Sequence, residues 1–137
     1  MTLEELVLHP VQLETVDLIS VECNKYENYA AQNNEVNIQV TIEATEIQDS
    51  MGTTAMSMKL RGEGFCLSIK QNGLFKFHLE KEKVVLKRFL ETQGVKLMWP
   101  YFREVIYDIS GRMLERPISI PTIDVMATLR KAVNTED

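Results

Sequence analysis

Between residues 35 and 45 the chain alternates strictly, with Val36, Ile38, Val40 and Ile42 apolar and Asn37, Gln39, Thr41 and Glu43 polar. A period of two puts the apolar set on one face of a strand and leaves the other face to water. That is the pattern of antiparallel sheet covered on one side. Residues 48–53 are turn-forming, and Met56, Met58 and Leu60 then resume the alternation against Ser57, Lys59 and Arg61. At Gly62 and Gly64 the apolar parity passes from even to odd, to Phe65, Leu67 and Ile69, which predicts a bulge or a new strand. Asn72-Gly73 by itself reads as a type I′ hairpin turn. Residues 74–79 continue extended, with Phe75, Phe77 and Leu79 on one face. Ahead of all these, residues 6–23 hold two apolar stretches with Pro10 between them, which predicts one kinked edge strand. The polar residues 24–34 predict a crossover loop.

From residue 82 the period becomes helical. Val85, Leu86, Phe89 and Leu90 make the stripe of a short helix over 82–93, with Gly94 as its stop. Over 97–113, Met98, Phe102, Val105, Ile109 and Met113 recur at helical spacing, and Tyr101 and Ile106 widen the stripe. Glu104, Asp108 and Arg112 form the opposite row, and Pro100 fits the first turn. Residues 115–122 contain Pro117 and Pro121 and predict a loop with an extended core. Residues 123–133 predict a last helix, with Asp124 in its first turn and Arg130 and Lys131 in its last, as the macrodipole favours. Strands first and helices last is an α+β order: a four-stranded antiparallel sheet with helices packed on one face, in a single domain over 1–137. The stripe from Met98 to Met113 is broader than one small sheet covers. Met98, Phe102, Val105 and Ile109 are therefore expected in the interfaces of a homo-oligomer.

Composition narrows the function. No apolar run approaches the ~20 residues of a membrane span, and Glu4 and Glu5 stand where a signal peptide is basic, so neither membrane insertion nor secretion is expected. Cys23 and Cys66 form no CxxC, which suits a cytoplasmic protein with inert thiols. The net charge of −5 is uneven: residues 1–50 hold ten acidic residues and one lysine, whereas 51–137 hold ten acidic and fourteen basic residues. The acidic front half argues against nucleic acid as a partner, and serves either solubility or the docking of a basic partner. His9 and His78 have no metal-ligand spacing, and the chain has no phosphate loop and no nucleophile elbow. No catalytic residue, metal or cofactor is expected, and the chain does not read as an enzyme. Seven methionines, among them Met56, Met58, Met98, Met113 and Met126 on apolar faces, suit promiscuous binding as well as core filling.

The run Trp99-Pro100-Tyr101-x-Arg103-Glu104-x-Ile106, followed by Arg112 and by Ile118-Ser119-Ile120-Pro121-Thr122-Ile123-Asp124-Val125, resembles the SecB family of bacterial export chaperones. The stretch from Phe65 to Phe75 is similar to the last strand of that family, which implies that Asn72-Gly73 is a pair of small residues interrupting one strand; the sequence leaves this and the hairpin turn both open. The resemblance covers most of residues 60–130. It implies a cytoplasmic homotetramer, a dimer of dimers with helices layered between two sheets. It also implies a holdase that keeps client polypeptides unfolded for export, without ATP, metal or covalent chemistry. A chaperone dedicated to one client, such as an antitoxin of a toxin–antitoxin system, is the alternative, followed by a SecB-fold protein of another binding function. Val36, Ile38 and Val40, with Ile123, Val125 and Leu129, match apolar positions of the family's client groove. The family docks the SecA motor on acidic residues of the outer sheet face and on a mobile C-terminal tail. Glu22 matches one such acidic position. Two others fall on Leu18 and Ser68, Asp17 is expected to point to the opposite strand face, and few residues follow the last helix. Engagement of SecA is therefore expected to be weak or absent.

Overall fold

The structure, a computed structural model, describes residues 1–29 and 35–136. A short 3-10 turn at Leu3–Glu5 precedes strands β1 (Val11–Lys25), β2 (Asn37–Ala44), β3 (Met51–Gly62) and β4 (Phe65–Phe77). Helices α1 (Lys83–Glu91), α2 (Gln93–Met113) and α3 (Val125–Glu136) follow. The strands form one antiparallel sheet in the order β1-β4-β3-β2. β2, β3 and β4 are a meander, and β1 lies at the far edge, so the chain crosses the sheet between β1 and β2. Part of the predicted crossover, residues 30–34, lies outside the described residues, and Asn24 and Lys25 belong to β1.

Local chemistry accounts for the turns. Between β2 and β3, Asp49 and Ser50 both take the left-handed conformation (φ 52° and 61°). Gln48 and Met51 exchange backbone hydrogen bonds around them, at 3.0 and 2.9 Å. This is a type I′ turn built without glycine. The parity change at residue 65 is a new strand: Gly64 turns the chain at φ 78°, and Gly62 pairs with Phe65. Asn72-Gly73 is no turn. β1 and β3 hold both sides of β4 there, Gly73 lying opposite Val16 and Thr54. A Cβ on Gly73 would stand 2.8 Å from the Met98 sulfur, so the glycine admits α2 rather than reversing the chain.

β1 differs from the expected kinked strand. It begins just after Pro10, leaving residues 6–10 outside the sheet, and its irregularities are two register shifts, at Leu13/Thr15 and Leu18/Ser20.

The helices cover one sheet face. Met56, Met58 and Leu60 of β3 and Leu67, Ile69 and Phe75 of β4 are buried beneath them with Leu90, Met98, Phe102 and Ile106. The hydroxyl of Thr54 donates to the Leu90 carbonyl at 2.7 Å and ties β3 to α1. Lys87 of α1 meets Glu46 at 2.9 Å. That hydrogen bond, with the opposite charge, holds the Glu46 carboxyl below its ordinary range and Lys87 above its own.

Gly94 does not end α1. Thr92 does, and Gly94 lies in the first turn of α2, where a Cβ would meet Thr54 Oγ1 at 2.5 Å. Because α2 starts at Gln93, Pro100 falls inside the helix rather than in its first turn, and the Lys96 carbonyl loses its helical donor. Ile123 and Asp124 precede α3. Asp124 caps it, its Oδ1 accepting from the Ala127 N–H at 3.0 Å.

Candidate functional site

The apolar row of β2 faces the helix side, because Ile38, Val40 and Ile42 lie opposite Leu60, Met58 and Met56. The three partners are at most 1% exposed, yet Ile38 is 43% and Val40 37% exposed. Helical cover therefore leaves out the Ile38–Val40 part of this edge strand, while α1 reaches its far end at Ile42 and Ala44. Val36 and Ile42 pack half-buried against the core.

The other half of the predicted groove is the approach to α3, which α2 holds down at several points. Trp99 Nε1 donates to the Pro121 carbonyl at 2.9 Å. Arg103 Nε donates to the Ile120 carbonyl at 2.9 Å, and its Nη1 reaches Thr122 Oγ1 at 3.2 Å. The buried Ser110 hydroxyl accepts from the Ile118 N–H at 2.7 Å and donates to the Ile106 carbonyl. Ile120 is thereby buried, and Ile118 and Ile123 are half-buried. The Trp-Pro-Tyr-x-Arg run is thus a latch that fixes an irregular segment whose backbone carbonyls would otherwise lack donors.

The six predicted groove residues are not equivalent. Val125 is only 4% exposed and belongs to the core, while Val36, Ile123 and Leu129 pack half-buried against it. Ile38 and Val40 offer the open surface. Val36, Ile123, Val125 and Leu129 share one core cluster, to which Ile38 and Val40 do not belong, and α3 packs on α2.

Of the predicted interface residues, Met98 and Phe102 are fully buried within the single chain. They are core, not contact surface, because the sheet covers that side of α2. Val105 and Ile109 are half-buried beside it. Leu97 and Tyr101, one turn apart, are the exposed apolar residues of α2 near its start, and Leu18 and Ile19 are exposed on β1. The four-residue spacing of Leu97 and Tyr101 was visible in the sequence as a second row.

On the sheet face away from the helices, Glu22 is exposed and accepts from Asn24 Nδ2 at 3.1 Å. Asp17 shares that face with it, contrary to the simple alternation, because the shift at Leu18/Ser20 resets the parity; Asp17 lies opposite Asn72 and Glu22 opposite Ser68. Leu18 lies on the helix side, opposite Gln71. Burial, with Cys66 nearby, pushes the Cys23 thiol up. Among the described residues, no group of three or more His, Cys, Asp or Glu is placed to hold a metal ion, and no helix is long and apolar enough to cross a membrane.

No family model matches the chain, and no curated protein does. Among solved structures it is similar to a SecB-like chaperone of Mycobacterium tuberculosis in complex with a ChAD peptide from an antitoxin. The TM-score is 0.71 at 18% identity, over 84% of this chain and 88% of that one. It is also similar to a Streptococcus agalactiae protein of unknown function, with a TM-score of 0.53 at 11% identity, over 81% of this chain and 96% of that one. The fold is therefore that of a SecB-like chaperone: an open four-stranded antiparallel sheet with helices on one face.

Proposed function

We propose that this chain is a SecB-like holdase that binds unfolded client polypeptides in extended form. The observation that carries the reading is the exposure of Ile38 and Val40, on the edge strand of a fold shared with a peptide-bound chaperone. A client segment laid along this edge buries apolar side chains against them and against the flank formed by Val36, Ile123 and Leu129. At about 25 cal/mol per Å² each such contact contributes about 1–2 kcal/mol, so affinity builds up from several weak sites along one client. Binding of this kind uses no nucleotide, metal or covalent step.

A homotetramer, arranged as a dimer of dimers, belongs to the same reading. The single chain exposes 9531 Å², against about 7300 Å² for a compact monomer of 15.8 kDa. That excess, with Leu18, Ile19, Leu97 and Tyr101 exposed, supports burial between subunits. Weak or absent SecA engagement remains part of the reading, since Leu18 and Ser68 bring no charge; Asp17, on the same face as Glu22, restores one carboxylate. Bacterial cytoplasm is the compartment proposed.

The second reading, a chaperone dedicated to one antitoxin-like client, draws on the antitoxin peptide bound by the structural neighbour. Crosslinking in the native cell separates the two: one dominant client supports dedication, and a spread of export precursors supports the general role.

The test of the site is suppression of aggregation when a denatured protein is diluted from guanidinium. Ile38→Ser combined with Val40→Ser should keep the fold and weaken suppression several-fold, since both side chains are substantially exposed. A folded double variant as active as the wild type moves the site elsewhere. Val125→Ser is a poor probe, because a polar group at that buried position costs stability.

A further inference from the structure

The sheet face turned away from the helices carries a charge pattern that client holding does not use. β3 presents Lys59 and Arg61 there and β4 presents Lys70, with Lys59 opposite Ser68 and Lys70 opposite Ser57. Among the described residues no carboxylate forms a salt bridge with any of the three cations. They stand over short side chains. A depression of about 310 Å³ is lined by Lys59 and Lys70 with Ser20, Ser57 and Ser68. A second, of about 440 Å³, is lined by Lys59 and Arg61 with Cys66 and Ser68, and by Glu22 on its β1 side. Lys59 and Ser68 line both, so the two join into one trough along the central strands.

We infer that this trough is a second binding surface, and that its ligand is an extended polypeptide segment with Glu or Asp at alternate positions. Three observations select that chemistry. The cations form no salt bridge among the described residues, so an anionic ligand gains attraction without breaking one of these. Lys59 and Arg61 are two residues apart on one strand face, about 6.8 Å along the strand, which is also the spacing of alternate side chains in an extended peptide. The flanking strands carry the opposite sign on the same face: Asp17 and Glu22 on β1 and Glu43 on β2, opposite Asn72, Ser68 and Ala55. With strands about 4.8 Å apart and residues about 3.4 Å apart along them, Asp17 and Glu22 stand about 8 Å from Lys70, whereas Glu43 lies about 12–14 Å from the nearest cation. They leave a positive lane one chain wide. A nucleic-acid backbone, uniformly negative along its length, meets those carboxylates, whereas a single peptide confines its charges to the lane. The serine hydroxyls on the floor add hydrogen bonds for the peptide backbone.

The surface is independent of the client edge and is tested separately. A fluorescein-labelled peptide with glutamate at every second position, separated by serine and threonine, is titrated against the full chain at low salt by anisotropy. The expected result is binding that weakens as salt rises and that the glutamine version of the peptide lacks. Lys59→Gln combined with Lys70→Gln should weaken it about tenfold or more, with the thermal melt and aggregation suppression unchanged. Arg61→Gln, at an exposed position, gives the same direction should the double variant fold poorly. No binding at low salt, an affinity untouched by these variants, or displacement of the peptide by a more tightly bound single-stranded oligonucleotide each overturns the assignment.

Discussion

Replacing Gly94 with alanine should destabilise the protein, although alanine is the better helix former by about 1 kcal/mol. The new Cβ would lie 2.5 Å from Thr54 Oγ1, on a stiff β-branched side chain whose hydroxyl is committed to the Leu90 carbonyl. Relief requires α2 to lift from β3 or Thr54 to give up its bond, at about 1–3 kcal/mol either way. A urea melt should show a lower midpoint with unchanged slope; a midpoint at or above the wild type contradicts the packing described. Gly94 and Gly73 show what single residues conceal. In a linear reading each glycine marks a turn or a stop, since only local backbone freedom is visible. Here both are used for close approach, one to Thr54 and one to Met98, and those neighbours are distant in sequence. Asp124 was legible as a residue of a helix start, and it is the cap itself.

At the scale of elements, the segment between α2 and α3 keeps its shape through the Trp99, Arg103 and Ser110 bonds. Trp99→Phe combined with Arg103→Lys keeps most of the apolar bulk and the charge, but removes the donation to Pro121 and the planar fork that reaches Ile120 and Thr122. Amide exchange over residues 117–129 should become about tenfold faster or more, while β3 and β4 stay protected. Unchanged exchange means that Ile120 and Val125 hold the segment by packing alone. The motif was readable as a family resemblance, but its physical work was not, because its acceptors are backbone carbonyls 17 and 22 residues away. The strands divide in the same way. Alternation in β2, β3 and β4 was legible because their partners run in unbroken register. β1 was not, because two register shifts move its parity and bring Asp17 to the face of Glu22.

For the whole molecule, the surface left exposed by one chain leads to an assembly prediction. Light scattering at micromolar concentration should report a tetramer. Val105→Glu, on the half-buried flank of α2, should lower the assembly state or unfold the chain, since a charge buried without a partner is costly. A strict wild-type monomer would remove the assembly proposal while leaving the client edge to be tested by itself. Surface charge divides at this scale too. The acidic front half visible in the sequence becomes two edge strands bearing carboxylates, and the basic half supplies the cations between them.

The order of elements, the helix-facing alternation of β2, β3 and β4, and the α+β class follow from the sequence by itself, because each rests on a period of two or 3.6 within one stretch. Which strands are edges, which apolar residues stay uncovered and which charges share a face were decided only by the tertiary structure. Ile38 and Met58 read alike as apolar strand positions, yet one is 43% exposed and the other 1%. The difference is whether a helix crosses above, and that depends on contacts between elements far apart in the chain.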